Sequence, residues 1–147
     1  MSDELWMREA IRLAQEARDR GDEPFGALLV ADGEVIATAR NAIITSRDLT
    51  QHAELRLISK ASMALEPAVL ASSTLYTSTE PCAMCTGAIY WSGIKRVVFG
   101  FPGTALEAMS GGSGLRMPSR RVLENASRAV AIDGPILEAE ARVVHEG

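Results

Sequence analysis

Two short segments of the sequence carry residue types that commonly bind metals. Both cysteines of the chain lie in one Pro-Cys-x-x-Cys segment, as Cys82 and Cys85, and one of its two histidines, His52, lies two residues before Glu54. One imidazole and two thiolates would give zinc (Zn2+) three protein ligands and leave a fourth tetrahedral position for water, as in catalytic zinc sites. Glu54 would then carry the proton that an activated water gives up. The pattern predicts a catalytic zinc site.

A Cys-x-x-Cys pair is also typical of redox dithiols, and a chain with βαβ units could supply the thioredoxin-like setting for one. That interpretation leaves the upstream His-x-Glu pair without a role. A single histidine near the start of a helix is most simply a cap or a core residue. The combination of His-x-Glu with Pro-Cys-x-x-Cys therefore favours zinc.

The neighbouring sequence predicts that both segments begin helices. Pro81 suits a first helical position, and Cys82 and Cys85 then share one helix face. A helix N-terminus also favours thiolates. A second helix is expected over residues 53–64. Residues two apart on a helix point roughly 200° apart, so His52 must lie at or just before its first turn.

These helices fit a three-layer α/β/α fold with a mixed five-stranded sheet and an antiparallel hairpin at one end. Asp32-Gly33 between two β-prone runs is a hairpin signal, and strand–helix–strand around the cysteines predicts a parallel pair with a right-handed crossover. We expect strands over 26–31, 34–39, 74–78, 96–100 and 128–132, and further helices from a cap at Ser2 or Asp3 to Gly21, over 81–92, over 120–126 and over 135–143. Loops are expected over 41–50, around 66–67 and over 102–118, the last with one short helical turn.

Length, charge and cysteine use limit the classes of function. With 147 residues the chain has the size of one domain, residues 1–147, and its formal charge of −4 gives no reason to expect a nucleic-acid partner. No apolar run reaches the roughly 18–20 residues of a membrane span, and the acidic start lacks the features of a signal peptide. Two cysteines kept for a metal fit a reducing compartment, so we expect a cytoplasmic protein without membrane association.

His52-Ala53-Glu54 and Pro81-Cys82-Ala83-Met84-Cys85 match the H-x-E…P-C-x-x-C signature of zinc-dependent nucleobase and nucleoside deaminases. Residues 5–100 resemble the cytidine deaminase superfamily, and within it guanine deaminase-like proteins, through longer strings such as Pro24-Phe25-Gly26-Ala27 and Gly87-Ala88-Ile89-Tyr90-Trp91. The resemblance implies a zinc-dependent aminohydrolase that deaminates guanine or a related purine or heterocycle, with Glu54 as its catalytic acid and base. It also implies a homodimer with pockets close to the subunit interface.

Five further positions are expected at the substrate. By resemblance, Asn41 hydrogen-bonds the base, Phe25 and Trp91 line the pocket, and Glu80 takes part in proton shuttling. Backbone N–H groups near Ala53 or Cys82 would stabilise the tetrahedral intermediate. Simpler interpretations exist for four of them, because an asparagine suits a turn, the two aromatic residues suit core or dimer contacts, and an acid suits a helix N-terminus.

The sequence also departs from the guanine deaminase-like pattern. Leu49 and Gln51 replace the usual residues before the zinc ligand. Guanine deaminase-like members bring acidic and aromatic residues of a C-terminal segment over the substrate, whereas here residues 103–112 read Gly-Thr-Ala-Leu-Glu-Ala-Met-Ser-Gly-Gly and the tail ends without aromatics. These departures weaken the assignment of guanine as the substrate, and cytosine or another small heterocycle stays possible. A tRNA adenosine (A-to-I) deaminase would need clustered cations for phosphates. The one candidate cluster is Arg116, Arg120, Arg121 and Arg128, which an acidic last helix dilutes.

A non-enzymatic alternative is an inactive, zinc-stabilised binding module. The intact Glu54 argues against it, because a purely structural zinc site has no use for a neighbouring carboxylate. We therefore expect an enzyme that acts on a small nucleobase or heterocycle.

Overall fold

A computed structural model describes residues 2–147, and its centre is a mixed sheet of five strands. The spatial order of the strands is β2-β1-β3-β4-β5. β1 pairs antiparallel with β2 and β3, whereas β3 with β4 and β4 with β5 are parallel. The predicted mixed sheet with a terminal hairpin is confirmed. In chain order the strands are β1 (Gly26–Ala31), β2 (Glu34–Arg40), β3 (Thr74–Thr79), β4 (Arg96–Phe101) and β5 (Ala131–Asp133).

Helices cover both faces of this sheet, which confirms the α/β/α layers. One core cluster joins α1 to β1, β3 and β4, and a second joins α3, α4 and α5 to the opposite face of the same strands. Among residues 2–147, no helix has both the length and the apolar character needed to cross a membrane. The helices are α1 (Asp3–Asp19), α2 (Ile43–Ser46), α3 (Ala53–Ala64), α4 (Pro67–Ser72), α5 (Ala83–Ser92), α6 (Gly103–Ser110), α7 (Ser119–Val122) and α8 (Glu138–Val143).

The alternation of side chains along the strands explains the two clusters. Leu28 of β1 belongs to the α1 cluster, whereas its neighbours Ala27 and Leu29 belong to the α3 and α5 cluster. Successive strand residues point to opposite faces of a sheet. A strand buried on both faces therefore needs an uninterrupted apolar run, such as the one in β1.

Close packing of α1 on the sheet depends on Gly26. A Cβ atom added there would lie 2.5 Å from the backbone nitrogen of Ala14 and 2.6 Å from the carbonyl oxygen of Ala10. The helix backbone thus rests directly on the start of β1. The hairpin that follows turns at Asp32 and Gly33, whose φ values of 51° and 73° fit the positive φ that a type I′ turn requires.

Several segments predicted as loops contain short helices. Residues 41–50 hold α2, the linker near 66–67 holds α4, and 102–118 holds the eight-residue α6 instead of a single turn. α2 has weak intrinsic propensity but is fixed by side-chain hydrogen bonds from outside its own sequence, which are described below.

The C-terminal elements are shorter than predicted. β5 begins at Ala131, because the segment from Arg128 is held by its guanidinium, which donates to the carbonyl of Ile94 at 2.9 Å, instead of by strand pairing. α7 ends at Val122, and α8 begins only at Glu138 after Leu137 adopts a left-handed conformation with φ 54°.

Candidate active site

The structure brings the three predicted zinc ligands together. The ligand atoms of His52, Cys82 and Cys85 all lie within 4.8 Å of one another, and the Cys82 Sγ lies 3.5 Å from the His52 Nδ1. Zinc–sulfur and zinc–nitrogen bonds of about 2.3 Å and 2.0–2.1 Å place tetrahedral ligands at separations of this size. The donor set of one imidazole and two thiols therefore fits zinc with one position left for a non-protein ligand.

Helix N-termini present these ligands. His52 is the residue before α3 and has extended backbone angles, as predicted from the divergence of its side chain from that of Glu54. Cys82 is the corresponding residue before α5, and Cys85 is buried in the first turn of that helix. The prediction that Pro81 occupies the first helical position is wrong, because α5 begins at Ala83. The Cys82 carbonyl accepts the first helical bond, from Thr86.

The thiols and the imidazole influence one another electrostatically. Hydrogen bonding to Cys85 lowers the pKa of Cys82, and the His52 ring adds to the effect. Hydrogen bonding to Cys82 raises the pKa of His52 in return. The arrangement stabilises a thiolate, the protonation state in which cysteine binds metal.

Glu54 lies in the first turn of α3 and is only 5% exposed. Burial raises the pKa of Glu54 to about 7. A carboxyl group with a pKa near neutrality can both accept and donate a proton, which is the property that a general acid–base residue needs.

Asn41 is buried at the end of β2, with 1% exposure. Its Oδ1 accepts a hydrogen bond of 3.0 Å from the backbone N–H of Ile43, and its own carbonyl accepts from Arg20 at 2.7 Å. The side chain therefore does close the turn after β2, the simpler of the two interpretations. An asparagine amide also carries two N–H donors, which that turn bond does not use.

Asp22 was not identified from the sequence, yet it fixes the loop that leads from Asn41 to His52. Its carboxylate accepts hydrogen bonds from the backbone N–H groups of Ile44 at 3.0 Å and Thr45 at 2.8 Å, from the Thr45 hydroxyl, and from Arg20. Burial alone would raise the pKa of Asp22, but these hydrogen bonds outweigh burial, so the pKa is lowered.

Glu80 bridges the two ends of the segment 103–119. One carboxylate oxygen accepts from the backbone N–H of Gly103 at 3.0 Å, and the other accepts from the backbone N–H and hydroxyl of Ser119 at 3.1 and 2.6 Å. Burial opposes ionisation of Glu80, but the bonds from Ser119 and Gly103 prevail and lower its pKa. An ionised carboxylate with three donors is placed to hold this segment.

The segment that Glu80 holds forms one wall of a cavity of about 410 Å³. Cys82 and Ala83 also line it, so the cavity adjoins the metal-ligand cluster. Leu106, Leu115 and Met117 make much of the lining apolar, and Glu107 and Arg116 contribute an ion pair at 2.6 Å. The volume lies within the roughly 300–1,000 Å³ of small-molecule sites.

Phe25 contacts His145, a residue that no motif in the sequence singles out. The ring of His145 lies between Phe25 and Phe101, with centroid separations of 5.4 and 5.3 Å, and its Nε2 lies 3.1 Å from the Thr79 hydroxyl. The C-terminal tail has no phenylalanine, tyrosine or tryptophan, but the His145 imidazole packs against Phe101 at the end of β4.

Of the positions expected at the substrate, Glu80 lines the cavity, whereas Asn41, Phe25, Ala53 and Trp91 are not among its lining residues. Trp91 is also distant from the cysteines along α5. It lies in the last turn of α5 and is 84% exposed. Nine residues of helix separate it from Cys82, or about 13 Å along the helix axis. Within this chain Trp91 neither belongs to the core nor lines the cavity.

The arginines considered for phosphate binding are engaged within the chain. Arg116 pairs with Glu107, Arg121 pairs with Glu124, Arg120 donates to the carbonyl of Ile132, and Arg128 donates to that of Ile94. Carboxylates thus neutralise two of the four arginines, and the other two hydrogen-bond to carbonyls.

Comparisons with known proteins agree with this geometry. Residues 1–101 match the family described as the cytidine and deoxycytidylate deaminase zinc-binding region. A probable cytosine deaminase of Schizosaccharomyces pombe is 42% identical, over 99% of this chain and 91% of the relative. A tRNA-specific adenosine deaminase of Bacillus subtilis is 44% identical, over 78% of this chain and 69% of the relative.

Solved structures give the same result. The crystal structure of guanine deaminase from Bacillus subtilis superposes with a TM-score of 0.67 at 44% identity, over 74% of this chain and 70% of that one. The similar proteins are thus deaminases named for three different bases, and the family match spans both halves of the metal motif. The chain belongs to the cytidine and deoxycytidylate deaminase zinc-binding family and is a zinc-dependent hydrolytic deaminase.

Proposed function

We propose that residues 1–147 act as one deaminase domain on a free amino-substituted nucleobase, guanine or a related heterocycle. The observation that carries the proposal is the buried Glu54, with a pKa near 7, beside the His52, Cys82 and Cys85 donor set and a cavity of about 410 Å³. A cavity of this size suits a free base. It also argues against the inactive module, which needs neither the cavity nor the carboxylate.

Each residue of the site has a defined task in this reaction. His52, Cys82 and Cys85 hold zinc, which supplies an activated water for hydrolysis when bound. Glu54 takes up the proton that is released and gives it to the ring nitrogen. It then carries a second proton, from the hydroxyl group added to the ring carbon, to the amino group, which leaves as ammonia. The backbone N–H of Ala53, the first residue of α3, has no partner within the helix and can donate to the oxygen that gains negative charge.

For the substrate contacts we propose roles for three side chains, of which only Glu80 lines the cavity. Asn41 donates to the base from the amide group that its turn leaves available, and Phe25, backed by His145, forms an apolar wall. Glu80 holds the segment 103–119 against the cavity. All three of its hydrogen bonds go to that segment, which favours this positioning role over proton shuttling.

Cytosine is the second candidate substrate. The similarity to the probable cytosine deaminase extends over 99% of this chain, including the region after Phe101 that departs from the guanine deaminase-like pattern. The tRNA reaction is less well supported, because the formal charge is −4 and two of the four arginines considered for phosphates are paired with carboxylates.

Ammonia release from a panel of free purines, pyrimidines and triazines tests the proposal. We expect one base class to be turned over by the zinc-loaded protein. We expect Glu54→Gln to lose about 10²–10⁴ in rate while it still binds one equivalent of zinc. Glu124→Gln is the matched control, because it makes the same change at an exposed residue that has no role in the proposed reaction. Full activity of the Glu54→Gln variant would refute its role, and a zinc-loaded protein inert toward every base would favour the binding module.

We also propose a cytoplasmic homodimer. The compartment follows from two unpaired thiols required for zinc. The exposed Trp91 supports the dimer, together with Met84 on the same helix, because large apolar side chains on a surface commonly mark interfaces. Light scattering should give twice the chain mass, and Trp91→Asp should shift the equilibrium to monomer. A wild-type monomer at all concentrations would exclude the dimer.

A further inference from the structure

A second cavity, of about 750 Å³, lies at the open edge of the sheet. α1, β2 and α3 line it, and we call it the edge groove. Five of its lining residues are cations: Arg12, Arg20, Arg40, Arg56 and Lys60. The carboxylates that pair with them are Glu9, Glu16 and Asp22. The groove therefore keeps two uncompensated positive charges on a chain whose net charge is negative.

The uncompensated charges belong to Arg56 and Lys60. These residues are four apart on α3 and so share a helix face. In residues 2–147 neither forms an ion pair, and each donates one hydrogen bond to a carbonyl of β2, Arg56 to that of Arg40 at 2.7 Å and Lys60 to that of Thr38. A guanidinium has five N–H donors and an ammonium three, so most of their donors are available to a ligand.

Ser59 also lines the groove, three residues after Arg56 and one before Lys60 on α3. A guanidinium, a hydroxyl and an ammonium within one helical turn are the donors that a tetrahedral dianion accepts. Phosphate groups in proteins are commonly bound through charge-assisted hydrogen bonds of this kind.

We propose that the edge groove binds the phosphate group of a small phosphorylated metabolite. Its two uncompensated charges match one phosphate dianion, and its volume falls in the range of small-molecule sites. A polynucleotide is a poorer match, because such partners are bound by cations spread over many phosphates, commonly six to ten. The groove lies on the face of α3 opposite to the buried Glu54, so this site is separate from the catalytic one and does not rest on the proposed reaction.

Calorimetric titration with ribose 5-phosphate tests the proposal, because this probe carries a phosphate and no base that could enter the catalytic cavity. We expect saturable binding by the zinc-loaded protein and none of unphosphorylated ribose. We expect Lys60→Gln and Arg56→Gln each to weaken binding about tenfold, and added salt to weaken it further. Arg121→Gln removes an arginine outside the groove and should bind like the wild type.

Ser59→Ala leaves Arg56 and Lys60 bonded to the β2 carbonyls. It therefore tests the site even if the two charge variants fold poorly. We expect it to weaken binding about threefold with an unchanged melting temperature. The site would be overturned if ribose 5-phosphate did not bind, or if the Lys60→Gln and Arg56→Gln variants bound it as tightly as the wild type. Tighter binding of a single-stranded oligonucleotide, lost in the same variants, would overturn the small-molecule assignment.

Discussion

Glu80→Gln distinguishes two roles for the acid that precedes the Pro-Cys pair. If Glu80 holds the segment 103–119, the change should loosen one wall of the cavity and leave the proton transfer intact. If Glu80 shuttles protons, the change should slow the chemical step and leave the structure intact. Glutamine has nearly the same shape as glutamate, so the variant isolates the effect of the second acceptor and the charge.

The magnitude follows from the three hydrogen bonds. A glutamine keeps one acceptor oxygen, so it can serve either Gly103 or Ser119, and its NH2 group then faces the remaining backbone N–H. A hydrogen bond to a charged group contributes about 1.5–3 kcal/mol. Loss of one such bond should lower the melting temperature by about 3–12 °C in a chain of this length. The wall is displaced, so KM should rise more than kcat falls.

Thermal melting with zinc present and steady-state ammonia release are the two measurements. Glu107→Gln is the control, because that residue lines the same cavity without joining the ends of the segment. A Glu80→Gln variant with a wild-type melting temperature and a kcat reduced by about 10²–10⁴, the usual contribution of a general acid–base residue, would refute the positioning role and restore the proton shuttle.

Three further predictions concern the supports of the site. Asp22→Asn should lower the free energy of unfolding at neutral pH by about 2 kcal/mol. Because folding lowers the pKa of Asp22, its carboxylate stabilises the fold fully above the unfolded pKa, and this stabilisation is lost as pH falls through the folded pKa. The stability deficit of Asp22→Asn should therefore shrink below about pH 4 in denaturant titrations, and a constant deficit would contradict this. Removal of zinc by a chelator should abolish deamination and lower the melting temperature, and one equivalent of zinc should restore both. The Cys85→Ser variant should bind zinc weakly, so added zinc should not restore its activity. If zinc restored that variant as fully as the wild type, Cys85 would not be a ligand. Gly100→Ala would place a methyl group 2.8 Å from the Ser78 carbonyl oxygen and 2.9 Å from the Ala141 Cβ. It should destabilise the fold by about 1–3 kcal/mol in denaturant unfolding, and an unchanged stability would contradict this close packing.

The features that sequence patterns predicted are those encoded locally. Apolar runs and Asp32-Gly33 specify the hairpin, and α3 spans the residues expected of it. The spacing of His52 and Glu54 required the histidine to precede the helix, and it does. Near Cys82 the predicted start of the helix was wrong by two residues, because a proline before a helix does not determine which residue begins it.

The features that sequence patterns missed depend on residues far apart in the chain. Asp22 bonds to Thr45 across 23 positions, and Glu80 bonds to Ser119 across 39. His145 reaches Thr79 across 66. No periodicity or motif reports such pairs, because they form only after the sheet has placed their elements side by side. The short α2 depends on one of these pairs, which explains why propensity alone indicated a loop.

The outer edge of the sheet has a consequence for how the protein behaves in concentrated solution. Edge strands offer unpaired carbonyls that can recruit a strand from another molecule and start aggregation. On β2 two of these carbonyls, Thr38 and Arg40, are masked by long cationic side chains from α3. Two copies approaching edge to edge would also meet like charges. This edge therefore discourages intermolecular strand pairing during refolding and storage.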